Sequence, residues 1–242
     1  MDIWEDKFNE ELIWTANFRD ILYEKAEISL KNNILEIGCG KGELLKELGI
    51  KFNLKLFGID ERDSMIQYAK DNLRANLIEA KLLNMDIVIN NFESKFFDCV
   101  ISHYSFLWIK DIDKALNEIY RILKGDGSFL ILGEPDYGGL VEYPNTNLGD
   151  ELCNTVKKLK GDPEIGRKLI QHTHNRFKIS EYYCVSTPLT PIINKERLYK
   201  DLDFYSKVLN PKKVKFDLMK KSIDNNQYFL FFPVFSYHLK KI

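Results

Sequence analysis

The 242-residue sequence predicts an α/β protein built on a parallel sheet with helices on both faces. Apolar segments typical of strands alternate with amphipathic helical segments between residues 33 and 135, which is the order of βαβ units. Gly38, Gly40 and Gly42 follow the first of these strands in "NILEIGCGKGELLKEL". Only a sharp backbone turn, or the close approach of a ligand, benefits from the loss of three side chains at such a place.

The first segment, residues 3–30, precedes this alternation. Its apolar residues recur at near-helical spacing: Trp4, Phe8, Leu12, Trp14, Phe18, Ile21 and Leu22. This pattern predicts one or two amphipathic helices. We expect residues 1–32 to be a helical cap that belongs to the same domain as residues 33–242.

The elements between residues 33 and 135 have recognisable boundaries. Apolar runs predict five strands: residues 33–38, 54–60, 80–86, 97–105 and 127–135. Pro135 ends the last of them. Capping and stop residues delimit three helices: Gly42 and Gly49 for the first, Asp63 for the second, Asp113 and Gly125 for the third.

Beyond Pro135 the pattern is weaker. Helices are expected at about residues 147–160 and 195–209, and strands in "SEYYCVSTPL" and "NQYFLFFPVFSYHL". Pro233 lies inside the second strand, which predicts an edge position or a bulge. No linker-like composition interrupts the chain, so the sequence predicts one domain overall.

Composition limits the class of protein. Hydrophobic residues make up 45% and charged residues 29%, as in soluble globular proteins. The apolar runs are too short to span a bilayer, and the acidic start "MDIWEDKFNEELIW" does not resemble a signal peptide. Four scattered cysteines without a CxxC pair indicate reduced thiols, so we expect a cytoplasmic protein with no metal site.

The net charge of −1 combines a balance of −10 over residues 1–150 with one of +9 over residues 151–242. A basic region of this kind can favour an anionic substrate or nucleic acid. Its lysines are scattered and lack interleaved aromatic residues, which favours an ordinary solvated surface.

The glycine loop is the expected place for a cofactor, because ligands of parallel sheets bind beyond the carboxyl ends of the strands. Asp60 ends the second strand, and its carboxylate can accept hydrogen bonds from the hydroxyls of a ribose. Asp86 follows the third strand and could accept the amine of an adenine that Met85 and Ile87 enclose; an aspartate with no ligand is the competing interpretation. The GxGxG spacing differs from the GxGxxG of dinucleotide-binding loops.

Five ordered blocks, "ILEIGCGKGELL", "LFGIDERDSMI", "LLNMDI", "FDCVISHYSFLWI" and "ALNEIYRILKGDGSFLILGEPD", resemble the motifs of class I S-adenosylmethionine-dependent methyltransferases. The resemblance covers residues 33–136. It implies a Rossmann-like, doubly wound sheet of seven mostly parallel strands, with an antiparallel last strand in "NQYFLFFPVFSYHL". It also implies S-adenosyl-L-methionine as cofactor and S-adenosyl-L-homocysteine as product.

The resemblance assigns roles by position. Glu36 would lie near the methionine ammonium, Asp60 would hold the ribose, and Asp86 would bind the adenine amine. Arg19 would pair with the methionine carboxylate. The other residues implied in cofactor binding are Gly38, Cys39, Gly40, Gly42, Glu61, Met65, Met85, Ser102 and His103, with Arg62 beside the adenine.

Methyl transfer from a sulfonium is an in-line displacement, for which the protein mainly aligns donor and acceptor and excludes water. A base is needed only if the acceptor must lose a proton. His103 is the first candidate, and a role in shaping the pocket is the equal alternative. Glu134 is the second catalytic candidate, and Asp136 and Tyr104 follow.

Missing motifs narrow the acceptor. The fourth strand ends in "SHYSF", not in the Asp/Asn-Pro-Pro-Tyr/Phe pattern of enzymes that methylate exocyclic or amide nitrogens, and no Pro-Cys pair suits cytosine C5 methylation. Aromatic residues of the first helix and of "YGGLVEYPN" could cover a pocket for a molecule of modest size, or simply pack. The sequence therefore predicts a small-molecule methyltransferase. RNA methylation and cofactor binding without transfer remain open, as do the acceptor atom and the oligomeric state.

Overall fold

A seven-stranded sheet forms the centre of the molecule. The structure, a computed structural model, describes residues 2–186 and 188–242; within the first helix it gives no side-chain environment for Asp2, Ile3, Glu5, Phe8, Asn9 and Trp14. The strands are β1 (Asn33–Ile37), β2 (Lys55–Asp60), β3 (Ala80–Asn84), β4 (Phe97–His103), β5 (Leu123–Pro135), β6 (Val141–Tyr143), β7 (Phe177–Val185), β8 (Phe229–Phe231) and β9 (Val234–Lys241). The large sheet has the order β3-β2-β1-β4-β5-β9-β7, and only β9 runs antiparallel to its neighbours. The predicted α/β class and the reversed last strand are confirmed.

The helices form a layer on each face of this sheet. They are α1 (Asp2–Lys25), α2 (Glu43–Lys51), α3 (Asp63–Ala75), α4 (Ile112–Ile122), α5 (Leu148–Lys158), α6 (Ile165–Thr173), α7 (Pro191–Val208) and α8 (Phe216–Asp224). Ile34 of β1 packs with Leu22 of α1 and Leu45 of α2, whereas its neighbour Leu35 packs in the cluster that contains Leu116 of α4. Successive residues of β1 thus face opposite layers, as expected for a strand buried on both sides.

The first segment is one long helix, α1, followed by a 3₁₀ turn at Ile28–Leu30. Leu22 and Tyr23, near its end, are buried against the sheet. Over residues 2–186 and 188–242, no helix combines the length and the apolar character needed to cross a bilayer.

Two boundaries of α4 differ from the prediction. The cap is Asp111, whose carboxylate accepts the backbone N–H of Lys114 at 3.0 Å, and the predicted cap Asp113 lies in the first turn. The helix ends at Ile122 and β5 begins at Leu123, so the predicted stop residue Gly125 lies within β5. The carboxylates of Asp111 and Asp113 can both cap a helix, and only the direction of the chain before α4 determines which of them does.

The residues predicted to end α2 and to cap α3 also lie at other positions of these helices. Gly49 lies inside α2, which continues to Lys51. Asp63 is the first residue of α3, with Arg62 at the cap position. A carboxylate in the first turn still interacts favourably with the positive end of the helix.

The last predicted strand divides at Pro233. Its first part is β8, which pairs with β6 in a separate two-stranded sheet, and its second part is β9. Pro233 itself accepts the backbone N–H of Asp136 at 3.0 Å. A proline cannot donate to a ladder, and this division places it between the two strands.

Candidate functional site

A cavity of about 510 Å³ opens at the carboxyl ends of β1, β2 and β4. The loop after β1, the residues after β2 and β3, and the last residue of β4 form its walls. The chain order of the strands reverses between β1 and β4, which is the usual position of a ligand in an open parallel sheet.

The glycine loop after β1 requires its glycines. Gly38, Gly40 and Gly42 have φ values of 65°, 47° and 78°, in the left-handed region that other residues rarely adopt. A Cβ at Gly38 would lie 2.3 Å from Oγ of Ser105, so the loop also depends on close contact with the turn after β4. Of the three glycines, Gly38 lines the cavity.

Asp60 joins this loop to the end of β2. Its Oδ2 accepts the backbone N–H of Gly40 at 3.0 Å, and its Oδ1 accepts the backbone N–H and the side-chain Nε–H of Arg62, both at 3.0 Å. The carboxylate is buried in the protein yet lies on the cavity wall. Its Oδ2 also accepts Nη2 of Arg62 at 3.2 Å, so a ligand's polar hydrogens would share this carboxylate with the Arg62 guanidinium.

Other predicted residues line the same cavity: Glu36, Cys39, Glu61, Met85, Asp86 and His103. Asp86 also accepts the backbone N–H of Val88 at 2.8 Å, which fixes the turn after β3. The structure thus brings together carboxylates and an apolar side chain from four strand ends, as the sequence predicted.

Arg19 lies elsewhere. It is 1% exposed, pairs with Glu47 of α2, and donates from Nη1 to Leu12 O and to Thr15 Oγ1, both at 2.6 Å. It does not line the cavity. Its partner Glu47 is 28 residues away in the sequence, and no local pattern links the two.

Several other predicted residues do not line the cavity: Gly40, Gly42, Met65, Ser102, Glu134 and Asp136. Glu134 is fully buried, and its Oε1 accepts the backbone N–H groups of Ser105 and Phe106, both at 2.9 Å. Burial raises the pKa of Glu134 to about 7. In this position the carboxyl fixes the turn after β4.

His103, the last residue of β4, reaches the cavity. Its Nε2 lies 3.3 Å from Oγ1 of Thr15 in α1, and its ring contacts the ring of Tyr104 at 4.6 Å between centroids. Burial lowers the pKa of His103 well below its usual value, and the charge of Arg19 lowers it further. The imidazole is therefore neutral at physiological pH.

Tyr104 has an unusual backbone. Its φ is 53°, although it is a bulky residue with 3% exposure, and it lines the cavity. A left-handed conformation of a buried aromatic residue is strained and is typical of functional sites. Its backbone N–H donates to Gly133 O at 2.8 Å, which connects the turn to β5.

An aromatic and apolar side completes the cavity. Trp4 and Leu12 of α1 lie there with Trp108, and the rings of Trp4 and Trp108 meet edge to face at 6.4 Å. Trp4 was predicted as part of the cover; the side chains of Phe8 and Trp14 lie outside the described residues. The stretch "YGGLVEYPN" does not contribute to the wall.

Sequence reasoning missed the segment that follows β4. Trp108, Ile109, Lys110 and Asp111 line the cavity. The signal was available in "SFLWIKD", because residues directly after a strand end lie at the same sheet edge as the glycine loop. Thr15 was also missed, since its contact with His103 spans 88 residues.

Comparison with known proteins agrees with this geometry. Residues 35–131 match the methyltransferase domain family. A malonyl-[acyl-carrier protein] O-methyltransferase from Acetivibrio thermocellus is 32% identical over 145 residues, which are 53% of this chain and 49% of that protein. A demethylmenaquinone methyltransferase from Thermus thermophilus is 30% identical over 131 residues, covering 53% of this chain and 57% of that protein. The chain spans about half the length of the curated relatives it matches.

The solved structures agree on the fold. The crystal structure of MccD protein has a TM-score of 0.65 at 20% sequence identity, covering 92% of this chain and 96% of that chain. The family match, residues 35–131, starts in β1 and ends in β5, so it contains the glycine loop and the strand ends that form the cavity. Residues 35–131 of this chain are thus similar to the methyltransferase domain family, and the resemblance to S-adenosylmethionine-dependent methyltransferases is supported.

Proposed function

We propose that the protein transfers the methyl group of S-adenosylmethionine to a small-molecule acceptor. The observation that supports this most directly is the single cavity wall formed by Gly38, Asp60, Asp86 and His103 at the switch point of the sheet. This cavity combines close backbone approach at Gly38, the buried carboxylate of Asp60, the exposed carboxylate of Asp86 and an apolar side.

The chemistry of this wall fits the donor. Asp60 offers a buried carboxylate to the ribose hydroxyls, Glu36 a carboxylate to the methionine ammonium, and Asp86 an acceptor to the adenine amine. When bound, S-adenosylmethionine supplies an electrophilic methyl group on a sulfonium. The work of this chain is to orient it and to exclude water.

The apolar side fits the acceptor. Trp4, Leu12 and Trp108 lie at the same cavity as His103 and Tyr104. Such a surface, with few polar groups, is typical of a small-molecule site. Because one relative is named for a malonyl thioester acceptor and another for a quinone precursor, carboxylated thioesters and quinols are the first acceptors to test.

The donor proposal is tested by calorimetric titration with S-adenosylmethionine and S-adenosylhomocysteine, with NAD and NADP as controls. We expect saturable micromolar binding of the first pair alone. Binding of a dinucleotide instead, or of none of the four, would contradict the donor assignment. Incubation with methyl-labelled donor and the two acceptor classes then tests transfer.

We also infer a cytoplasmic location. Within the described residues, Cys99, Cys153 and Cys184 stand as thiols. Reducing compartments keep thiols in this state. Fluorescence microscopy of the tagged chain, or cell fractionation, tests the inference.

A further inference from the structure

A chain of hydrogen bonds runs from α1 to the cavity. Arg19 pairs with Glu47, and its Nη1 donates to Oγ1 of Thr15 at 2.6 Å. Oγ1 lies 3.3 Å from Nε2 of His103. Arg19, Thr15 and His103 are all buried, at 1%, 4% and 9% exposure, so water does not compete strongly for these bonds.

The packing around His103 determines which of its ring nitrogens faces Thr15. The edge of His103 that carries Cδ2 and Nε2 lies against Gly133, where a Cβ would come within 3.1 Å of both atoms. Nε2 is thus held between β5 and Thr15. Nδ1 makes no hydrogen bond with any residue that the structure describes, so it is the nitrogen left for a ligand in the cavity that His103 lines.

Among the described residues, the proton on the hydroxyl of Thr15 has three possible acceptors. Two are the carbonyls of Glu11 and Leu12, at 3.3 and 3.4 Å. The Leu12 carbonyl already accepts Nη1 of Arg19 at 2.6 Å, and the Glu11 carbonyl accepts the helical N–H of Thr15. The third is Nε2 of His103, which has no other hydrogen-bond partner among the described residues.

Arg19 makes donation to Nε2 more favourable. Its N–H occupies one lone pair of Oγ1 and polarises the hydroxyl, which strengthens the hydroxyl as a donor. The same positive charge disfavours a second proton on the ring. A neutral imidazole that accepts at Nε2 carries its proton on Nδ1.

We infer that Thr15 and Arg19 are positioning residues that hold His103 as a neutral imidazole with its proton on Nδ1, so that His103 presents a hydrogen-bond donor to the cavity. The location of the proton is independent of the proposed function. The role toward an acceptor substrate rests on it.

This assignment changes the role of His103 in methyl transfer. A ring nitrogen that already carries a proton cannot take one from the acceptor. It can donate a hydrogen bond to an acceptor oxygen and orient it. The new bond then joins the methyl carbon to an acceptor oxygen that is already deprotonated, the carbon–sulfur bond breaks, and its electrons return to sulfur. No proton then has to leave the acceptor or pass through His103.

Nitrogen-15 NMR of the imidazole side chains tests the tautomer in the protein alone. The proton-bearing and proton-free ring nitrogens give well-separated resonances, and the ring signals of His103 are assigned by their loss in His103→Asn. We expect Nδ1 of the wild-type protein to show the protonated signature and Nε2 the unprotonated one. A wild-type spectrum with the proton on Nε2 would overturn the inference.

Two substitutions test the origin of the tautomer. Thr15→Val removes the hydroxyl at nearly constant volume and should raise the population protonated at Nε2, while Thr15→Ser should keep the wild-type pattern. Thr173→Val is the matched control, because Thr173 is a buried helical threonine that bonds Ile170 O. An unchanged His103 spectrum in folded Thr15→Val would contradict the positioning role.

The donor titration separates this inference from the proposed function. We expect Thr15→Val to bind S-adenosylhomocysteine within about twofold of the wild type, because the donor carboxylates are unchanged. Failure of all variants to bind it would contradict the proposed function and leave the NMR result standing by itself.

Discussion

Asp60 is the residue on which the donor assignment depends most. Its carboxylate is 4% exposed and accepts from Gly40 and Arg62 while lying on the cavity wall. Asp60→Asn keeps the shape and removes the charge, so we expect donor affinity to weaken by about 1.5–3 kcal/mol, the size of a hydrogen bond to a charged group. Calorimetric titration with S-adenosylhomocysteine measures the change.

The control for this variant is Asp71→Asn, because Asp71 of α3 is an exposed carboxylate. Affinity should stay at the wild-type value in the control. Equal affinities of Asp60→Asn and the wild type would remove Asp60 from the donor site.

The substitution Gly38→Ala tests whether the loop after β1 requires a glycine at this position. Its φ is 65°, and an added Cβ would lie 2.3 Å from Ser105 Oγ, so Gly38→Ala combines backbone strain with a steric clash. We expect the free energy of unfolding to fall by about 1–3 kcal/mol, measured by urea denaturation. Gly125→Ala is the control, because apart from its chain neighbours no atom of the described residues lies within 4 Å of its Cβ position. Its free energy of unfolding should stay within about 0.5 kcal/mol of the wild type. Equal stabilities of the two variants would contradict the argument.

At the residue scale, the sequence predicts correctly the location of side chains that directly end a strand. Asp60 and His103 end strands, and the ends of parallel strands meet at one edge, so both were predicted at the cavity and both line it. Arg19 and Glu134 depend on partners remote in sequence, Glu47 and the turn after β4. Those pairings are set by how α1 and β5 pack, which no local pattern specifies.

At the scale of elements, α1 is attached to α7 by a buried group of charges. Lys7 contacts Asp201 at 2.5 Å and Glu11 at 2.8 Å, and Arg197 contacts Glu11 at 2.7 Å. Burial opposes the charge of Lys7, but Glu11 and Asp201 raise its pKa above the usual value. Lys7 therefore stays charged within this group of ion pairs.

Lys7→Met tests this attachment. It leaves two buried carboxylates with one cation, and breaking a buried ion pair costs about 3–5 kcal/mol. We expect a matching loss in the free energy of unfolding by urea, and faster hydrogen exchange of α1 amides, detected by mass spectrometry. Lys200→Met, which removes a lysine 60% exposed beside Glu196, should change neither. Wild-type exchange of α1 in Lys7→Met would show that other contacts hold the helix.

The type of each helix or strand was predicted better than the residues at which it begins and ends. The alternation of strands and helices is confirmed, because its periodicity extends over whole elements. The seven-stranded sheet and the similarity to methyltransferases, which the motif resemblance implied, are confirmed as well. The predicted cap of α4 was wrong, and the prediction of one strand around Pro233 missed its division into β8 and β9. Each of these features depends on a few contacts. Asp111 and Asp113 are chemically equivalent as caps, and only three-dimensional chain direction selects between them. The division into a cap of residues 1–32 and a domain of residues 33–242 stays a prediction.

At the scale of the whole molecule, the sheet buries titratable groups that couple folding to pH. His238 of β9 is 1% exposed, and its Nε2 lies 3.1 Å from Ser128 Oγ. Burial, and then the charge of Lys240, lowers the pKa of His238 from 6.5 to about 4. Between these two values the unfolded chain binds a proton at this position and the folded protein does not.

The contribution of His238 to stability therefore rises with pH in this window and falls as the pH is lowered from 6.5 toward 4. The largest slope that one such group contributes is about 1.4 kcal/mol per pH unit. His238→Gln removes the proton-binding group, so its free energy of unfolding should vary less steeply with pH, by up to that amount. Urea denaturation of both proteins at several pH values between 4.5 and 6.5 gives the two slopes.

The comparison isolates His238, because every other titrating group is present in both proteins and cancels in the difference. Glu134, whose pKa is raised to about 7, contributes the opposite slope in each of them. His174→Gln is the matched control for the substitution itself, since it makes the same change at an exposed position. Parallel curves for His238→Gln and the wild type would mean that the folded protein accommodates a charged His238, contrary to its burial beside Ser128.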